Sequence, residues 1–319
     1  MACSISDIRA ARERIAPYVV LTPLLRTVAL DSALGCEVYV KAECMQITGA
    51  FKIRGAMNKA LTLTPEQLAK GIVAASSGNH GRGISYAAKL LGARATIVMP
   101  RTSPQVKIEA IRSLGAEVIL CDAPERFRIA EEVCAERGAT MVPPFNDEDV
   151  MAGQGTVGLE IMEQAPEVDT VIVPVSGGGL IGGMSTAIKA LAPGVRVYGA
   201  EPAAMPRYSQ SLAAGKPVTV SYKATIADAL AAQTPGAKCF PCVTSHVDGF
   251  AAVDDAYILK GMKLLLTEGK ILAEPSSCIG LGALLQGLLP VRKGNKVCLV
   301  LSGGSVGLDQ LRVLEDVTL

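Results

Sequence analysis

The chain is short of aromatic side chains, of net charge, of histidine and of long apolar runs, and each shortage excludes something. Aromatics make up 4% of its 319 residues, and 31 lysine and arginine residues against 30 aspartate and glutamate leave a formal net charge of +1. That combination excludes a nucleic-acid binder built on phosphate neutralisation and base stacking. No apolar run reaches the ~18 residues of a membrane span, and the amphipathic N-terminus lacks the apolar core of a signal peptide. A cytoplasmic protein without a membrane or nucleic-acid partner is therefore expected. The two histidines, His80 and His246, do not support a Ser/His/Asp triad. With 50% hydrophobic and 19% charged residues, disorder is excluded as well, and the length suits about two domains.

Nine cysteines, an odd number scattered through apolar stretches, read as free buried thiols in a reducing compartment. Cys239-Phe240-Pro241-Cys242 forms a CxxC, but zinc would need further ligands and only His246 is near.

What the chain does contain is alternation. Apolar runs at 71–75, 95–100, 116–121 and 139–142 alternate with helical spacing at 81–91, 104–114 and 125–137, a β-α-β-α-β-α-β unit over 71–142. The pattern resumes with helix 150–164, strand 169–175, a helix to 191 and strand 195–200. A less regular stretch follows at 202–250, then helices 254–268 and 275–289 and strand 297–301. Strands this continuously apolar belong to parallel sheets covered on both faces. The fold class is α/β, with two doubly wound parallel-sheet domains and a cleft between them.

Glycine, 32 residues in all, is clustered where ligands bind in such sheets. Three strand ends run into Ser76-Ser77-Gly78-Asn79-His80-Gly81, Ser176-Gly177-Gly178-Gly179 and Ser302-Gly303-Gly304-Ser305. Glycine there lets backbone N–H groups approach an anion, and a following helix adds its positive end. The middle turn continues as Gly177-Gly178-Gly179-Leu180-Ile181-Gly182, a GxGxxG with Glu201 at the end of the next strand, which by local rules is a dinucleotide site. A phosphate loop for a smaller cofactor is the competing reading. Thr48-Gly49-Ala50-Phe51-Lys52-Ile53-Arg54-Gly55 decides between them. Lys52 lies between Phe51 and Ile53, and low polarity lowers an amine's pKa and makes it a Schiff-base nucleophile.

The ordered set FKIRG, SSGNHG, AGQGT (152–156), SGGGL and SGGS resembles the β-family (fold type II) of pyridoxal-phosphate (PLP) enzymes, in the branch of threonine/serine dehydratases and serine racemases. The likeness runs from Thr22-Pro23-Leu24 to the SGGS turn. It implies a tryptophan synthase β-like homodimer, with a large PLP-binding domain from 1–70 plus 143–319 and a small domain from 71–142. By this resemblance Lys52 holds the cofactor and takes the Cα proton. Ser176, Gly177, Gly178, Gly179 and Leu180 bind its phosphate, Asn79 its 3′ oxygen, and Phe51 packs on the pyridine ring. Ser302 faces the pyridine nitrogen, and the turn Ser76, Ser77, Gly78, Asn79 and His80 clamps the substrate carboxylate, His80 ordering the loop.

The implied reaction is β-elimination of L-threonine or L-serine to a 2-oxo acid and ammonia. Ser77 opens the alternative, since the resemblance makes a serine there an acid/base opposite Lys52 and hence a route to racemisation. Two departures stand out. The racemases pair the glutamate matching Glu201 with an aspartate in a divalent-cation site, but position 207 here is arginine, leaving Mg²⁺ or a monovalent cation open. Arg82 stands where glutamine is common, which suggests an acidic β-substituent such as that of 3-hydroxyaspartate. The chain runs only a little past the SGGS turn, so no feedback-regulatory domain is expected.

Overall fold

The computed structural model describes residues 3–76 and 78–319. Ten strands form two sheets. The larger contains β1 (Leu24–Arg26), β2 (Glu37–Lys41), β7 (Thr170–Pro174), β8 (Arg196–Pro202), β9 (Gly249–Val253) and β10 (Lys296–Val300), in the order β1-β2-β10-β7-β8-β9. All its pairings are parallel except β1 with β2, where Leu24 pairs antiparallel with Lys41. The smaller sheet is wholly parallel, in the order β5-β4-β3-β6, from β3 (Ile72–Ala75), β4 (Ala95–Pro100), β5 (Glu117–Cys121) and β6 (Thr140–Met141).

Both faces of the large sheet are covered, as the unbroken apolar strands require. Ile172 and Leu299 enter one core with Ile258, Leu265 and Leu281, while Val171, Val173 and Cys298 enter another with Ile161, Ile181 and Ile188. Alternate side chains of one strand thus feed opposite layers. The helix Lys52–Thr62 contributes Ile53, Ala56 and Met57 to the core of the small sheet, beside Ile72, Ile84 and Ile97.

Ligands in open parallel sheets bind where the strand order reverses. In the large sheet the chain runs outward from β7 to β8 and β9, then returns to β10 on the other side of β7. In the small sheet it runs from β3 to β4 and β5, then returns to β6 on the other side of β3. The Ser176 and Ser302 turns leave the first reversal, and the Ser76–His80 turn and Pro144 leave the second.

Several elements differ from the sequence expectation. The helix expected at 81–91 spans Asn79–Leu90, because the Ser76 hydroxyl accepts the Gly81 N–H at 3.0 Å and the Gly78 N–H at 3.3 Å and starts the helix earlier. The helix expected at 275–289 is a 3-10 turn, Pro275–Cys278, followed by Ile279–Leu285, ended by Gly287 at φ 70°. The irregular 202–250 stretch contains helices Arg207–Ala214 and Cys239–His246 and begins β9. Cys239 and Cys242 are unpaired and buried in one helix, and burial pushes the Cys239 thiol up to about 12. His246 instead brings Nδ1 to 3.4 Å from the Thr186 hydroxyl. No described helix is long and apolar enough to cross a membrane.

Candidate active site

A cavity of about 410 Å³ lies between the sheets at the two reversals. Its wall brings together Phe51, Lys52, Ser76, Gly78, Asn79 and His80 with the turn from Ser176 to Leu180 and with Ser302. Ser77 lies outside the described residues.

Lys52 is the first residue of its helix, and its Nζ donates to the Pro144 carbonyl at 2.6 Å and sits 5.0 Å from the Phe51 ring centre. Part of its surface stays open to the cavity. Even so, desolvation pushes the amine down to about 8, against the smaller opposing pull of Cys239 and Glu274. Two residues on, Arg54 projects from the far side of the helix into the interior. Its guanidinium donates to Glu43 at 2.7 and 2.8 Å and to Glu160 at 2.6 and 2.8 Å, and Lys41 also holds Glu160 at 2.6 Å. This closed set of two cations and two carboxylates fixes the helix that presents Lys52.

Opposite, the helix Gly179–Leu191 begins at the Ser176 turn with no side-chain cap, so its first N–H groups are free to meet an anion. Gly178 has φ 98°, and a Cβ there would lie 1.8 Å from the Tyr208 hydroxyl, so both conformation and space demand glycine. The Ser176 hydroxyl accepts the Ala232 N–H at 3.1 Å. At the second reversal His80 is buried, its Nε2–H donates to the Val142 carbonyl at 2.9 Å, and burial pushes its pKa down to about 3. It is a neutral tie between the turn and the residue that follows β6, which suits a loop-ordering role.

One residue of this wall escaped the sequence reading. Glu274, 2% exposed, accepts from Asn79 Nδ2 at 2.8 and 3.2 Å, and the Ser305 hydroxyl donates to Asn79 Oδ1 at 2.6 Å. Burial pushes the Glu274 carboxyl up to about 7, only partly offset by Asn79. Its signal was an acid inside the apolar run Ile271-Leu272-Ala273-Glu274. Ser277, on the same segment, donates to the Gly303 carbonyl at 2.7 Å and lies 3.1 Å from the Ser302 hydroxyl. Its one proton goes to that carbonyl, which leaves the Ser302 hydroxyl free to turn its own proton toward Ser277 or toward the cavity.

Arg82 is not on the cavity wall; its Nη1 lies over Gly49, which weakens the reason for linking it to an acidic substituent. Glu201 does not face the glycine turn as a ribose-binding acid would. Its oxygens accept the Tyr208 and Ser209 N–H groups at 2.9 and 2.8 Å and the Ser209 hydroxyl at 2.8 Å.

The model of the family described as pyridoxal-phosphate dependent enzyme matches residues 15–303. The chain belongs to the PLP-dependent enzyme family. Serine racemase from rice (Oryza sativa) is 42% identical, over 97% of this chain and 93% of that protein. L-threonine ammonia-lyase from Thermotoga maritima is 43% identical, over 97% of this chain and 77% of that protein. The structure of maize serine racemase superimposes with a TM-score of 0.94 at 42% identity, covering 98% of this chain and 97% of that one.

The residues present fit PLP, the cofactor of this fold type II enzyme. An amine lowered to about 8 suits attack on an aldehyde near neutral pH, and the uncapped helix start suits a phosphate. The residues do not fit the divalent cation that the resemblance suggested. Glu201 already accepts three hydrogen bonds from neighbouring N–H and O–H donors, and Arg207 is a cation where the resemblance calls for a second carboxylate. Among the described residues no group of three or more His, Cys, Asp or Glu side chains is arranged to hold a metal ion.

Proposed function

We propose that this PLP enzyme acts on serine, interconverting its enantiomers through Lys52 and Ser77 on opposite faces of the substrate, and eliminates the β-hydroxyl in a second outcome. The observation that carries the reading is the desolvated Lys52 amine facing an uncapped helix start across one cavity. Likeness to plant serine racemases along nearly their whole length, together with the serine at 77, supports racemisation. Likeness to threonine ammonia-lyases supports elimination, with threonine as a further substrate.

When bound, PLP withdraws electrons from the bonds at the amino acid's Cα and so acidifies its Cα–H. The N–H groups from Ser176 to Leu180 would hold its phosphate, Asn79 and Ser302 would orient the ring at its 3′ oxygen and its nitrogen, and Phe51 would pack against it. The N–H groups of the Ser76–His80 turn bind the carboxylate and hold the Cα–H toward Lys52 Nζ. Lys52 removes that proton. A proton returned by Ser77 from the other face inverts the centre, whereas departure of the β-hydroxyl together with a proton, as water, leaves an enamine that water hydrolyses to 2-oxo acid and ammonia. Residues 71–142 form the smaller domain in this reading and bring the carboxylate turn to the cleft.

The test gives L-serine and L-threonine to the purified protein and measures D-enantiomer, 2-oxo acid and ammonia together. A visible band fixed by borohydride is expected and should vanish in Lys52→Ala. Ser77→Ala should lose D-serine formation and keep 2-oxo acid. An intact band with no D-serine from L-serine would refute the racemase reading.

A further inference from the structure

Arg207 is 0% exposed and stands directly behind the glycine turn. Its Nη1 donates to the Val175 carbonyl at 2.9 Å and lies 3.4 Å from that of Ser176. Tyr208 and the Gly236 N–H continue the row, reaching the Gly177 carbonyl at 3.0 and 2.9 Å. A trans peptide points its C=O and N–H in opposite directions. Drawing the carbonyls of 175, 176 and 177 back toward Arg207, Tyr208 and Gly236 therefore turns the N–H groups of 176, 177 and 178 the other way, and all three residues line the cavity.

The same guanidinium keeps Nε and Nη2 without a hydrogen-bond partner among the described residues. Those N–H groups are positive and cannot accept, and Arg207 and Glu201 are near enough for their charges to act on each other, so charge of the metal's own sign stands close to the carboxylate that a metal ion would need. We propose that Arg207 is the resident cation of this site: a positioning residue that holds the phosphate-binding turn from behind and frees cofactor binding from any divalent metal. The proposal rests on the assignment of the 176–180 turn to the cofactor phosphate.

The experiment measures the dissociation constants of PLP and of pyridoxal, which lacks the phosphate, from the visible band, with EDTA or with Mg²⁺. For the unaltered protein the PLP constant should agree within about twofold between the two conditions. Arg207→Met should weaken PLP about tenfold or more, as loss of a charged hydrogen-bond donor implies, and leave pyridoxal unchanged. Arg207→Lys should fall between. Equal weakening of both ligands would make Arg207 merely structural and overturn the proposal, as would a clear Mg²⁺-dependent tightening of PLP by the unaltered protein. That metal comparison needs no variant, so it decides even if Arg207→Met fails to fold. Gly178→Ala separates the two layers of the argument. If it leaves the preference for PLP over pyridoxal intact, the turn assignment is wrong and the proposal falls with it; if it abolishes the preference while Arg207→Met does nothing, only the role of Arg207 is refuted.

Discussion

Replacing Glu274 by glutamine should change how the stability of the cofactor-free protein depends on pH. The carboxyl is buried, and its folded-state pKa is raised from the usual 4.5 to about 7. Asp228 adds to the desolvation, while Asn79, Lys107 and the Ser305 N–H oppose it; Lys52, Cys44 and Cys278 are its other titratable neighbours. Below pH 4.5 the carboxyl is protonated in both states and costs nothing. As pH rises the unfolded chain ionises first, so stability is lost progressively until the folded pKa is passed. The gap corresponds to roughly 3 kcal/mol at about 1.36 kcal/mol per pH unit, most of which falls between pH 5 and 8. Glutamine has nothing to ionise and can still accept from Asn79 Nδ2. Urea unfolding of both proteins at pH 5, 6, 7 and 8 should show the unaltered protein losing roughly 2–3 kcal/mol relative to Glu274→Gln across that range. Parallel stability curves, or a relative gain with rising pH, would refute the reasoning.

Two other outcomes follow from the buried groups. Arg54→Met leaves Glu43 without its ion-pair partner, held by the Thr22 hydroxyl, and Glu160 with Lys41 as its one cation, and should cost about 3–5 kcal/mol in urea unfolding, with partial recovery when Glu43→Gln is added. An unchanged midpoint would mean that the network does not hold the Lys52 helix. Cys239 and Cys242, buried in one helix with the Cys239 thiol raised to about 12, should resist a thiol-reactive chromophore in the native protein and react only on unfolding.

The parts that were legible in the sequence are those carried by neighbouring residues. Unbroken apolar strands announced covered parallel sheets, three serine-glycine strand ends announced turns that line one cavity, and a lysine between Phe51 and Ile53 announced a desolvated amine. Each is a short-range pattern of residue types, readable within a few positions of the chain. The AGQGT motif was visible as part of a resemblance, but its cause is tertiary. A Cβ on Gly153 would lie 2.6 Å from the Arg54 carbonyl and one on Gly155 2.9 Å from that of Gly183, so the motif lets three helices approach closely.

Tertiary structure alone decided the rest. The order of strands places β10 beside β7 and β6 beside β3, and only that order brings the two reversals to one cavity. Glu274 meets Asn79 across a sequence separation of 195 residues, so no local pattern could mark it as part of the site. Arg207 read as a missing ligand along the chain; folded, it is the donor behind the turn that begins at Ser176. Burial and the choice of partner set what each of these groups does, and both are properties of packing between distant segments rather than of the residues beside them in the chain.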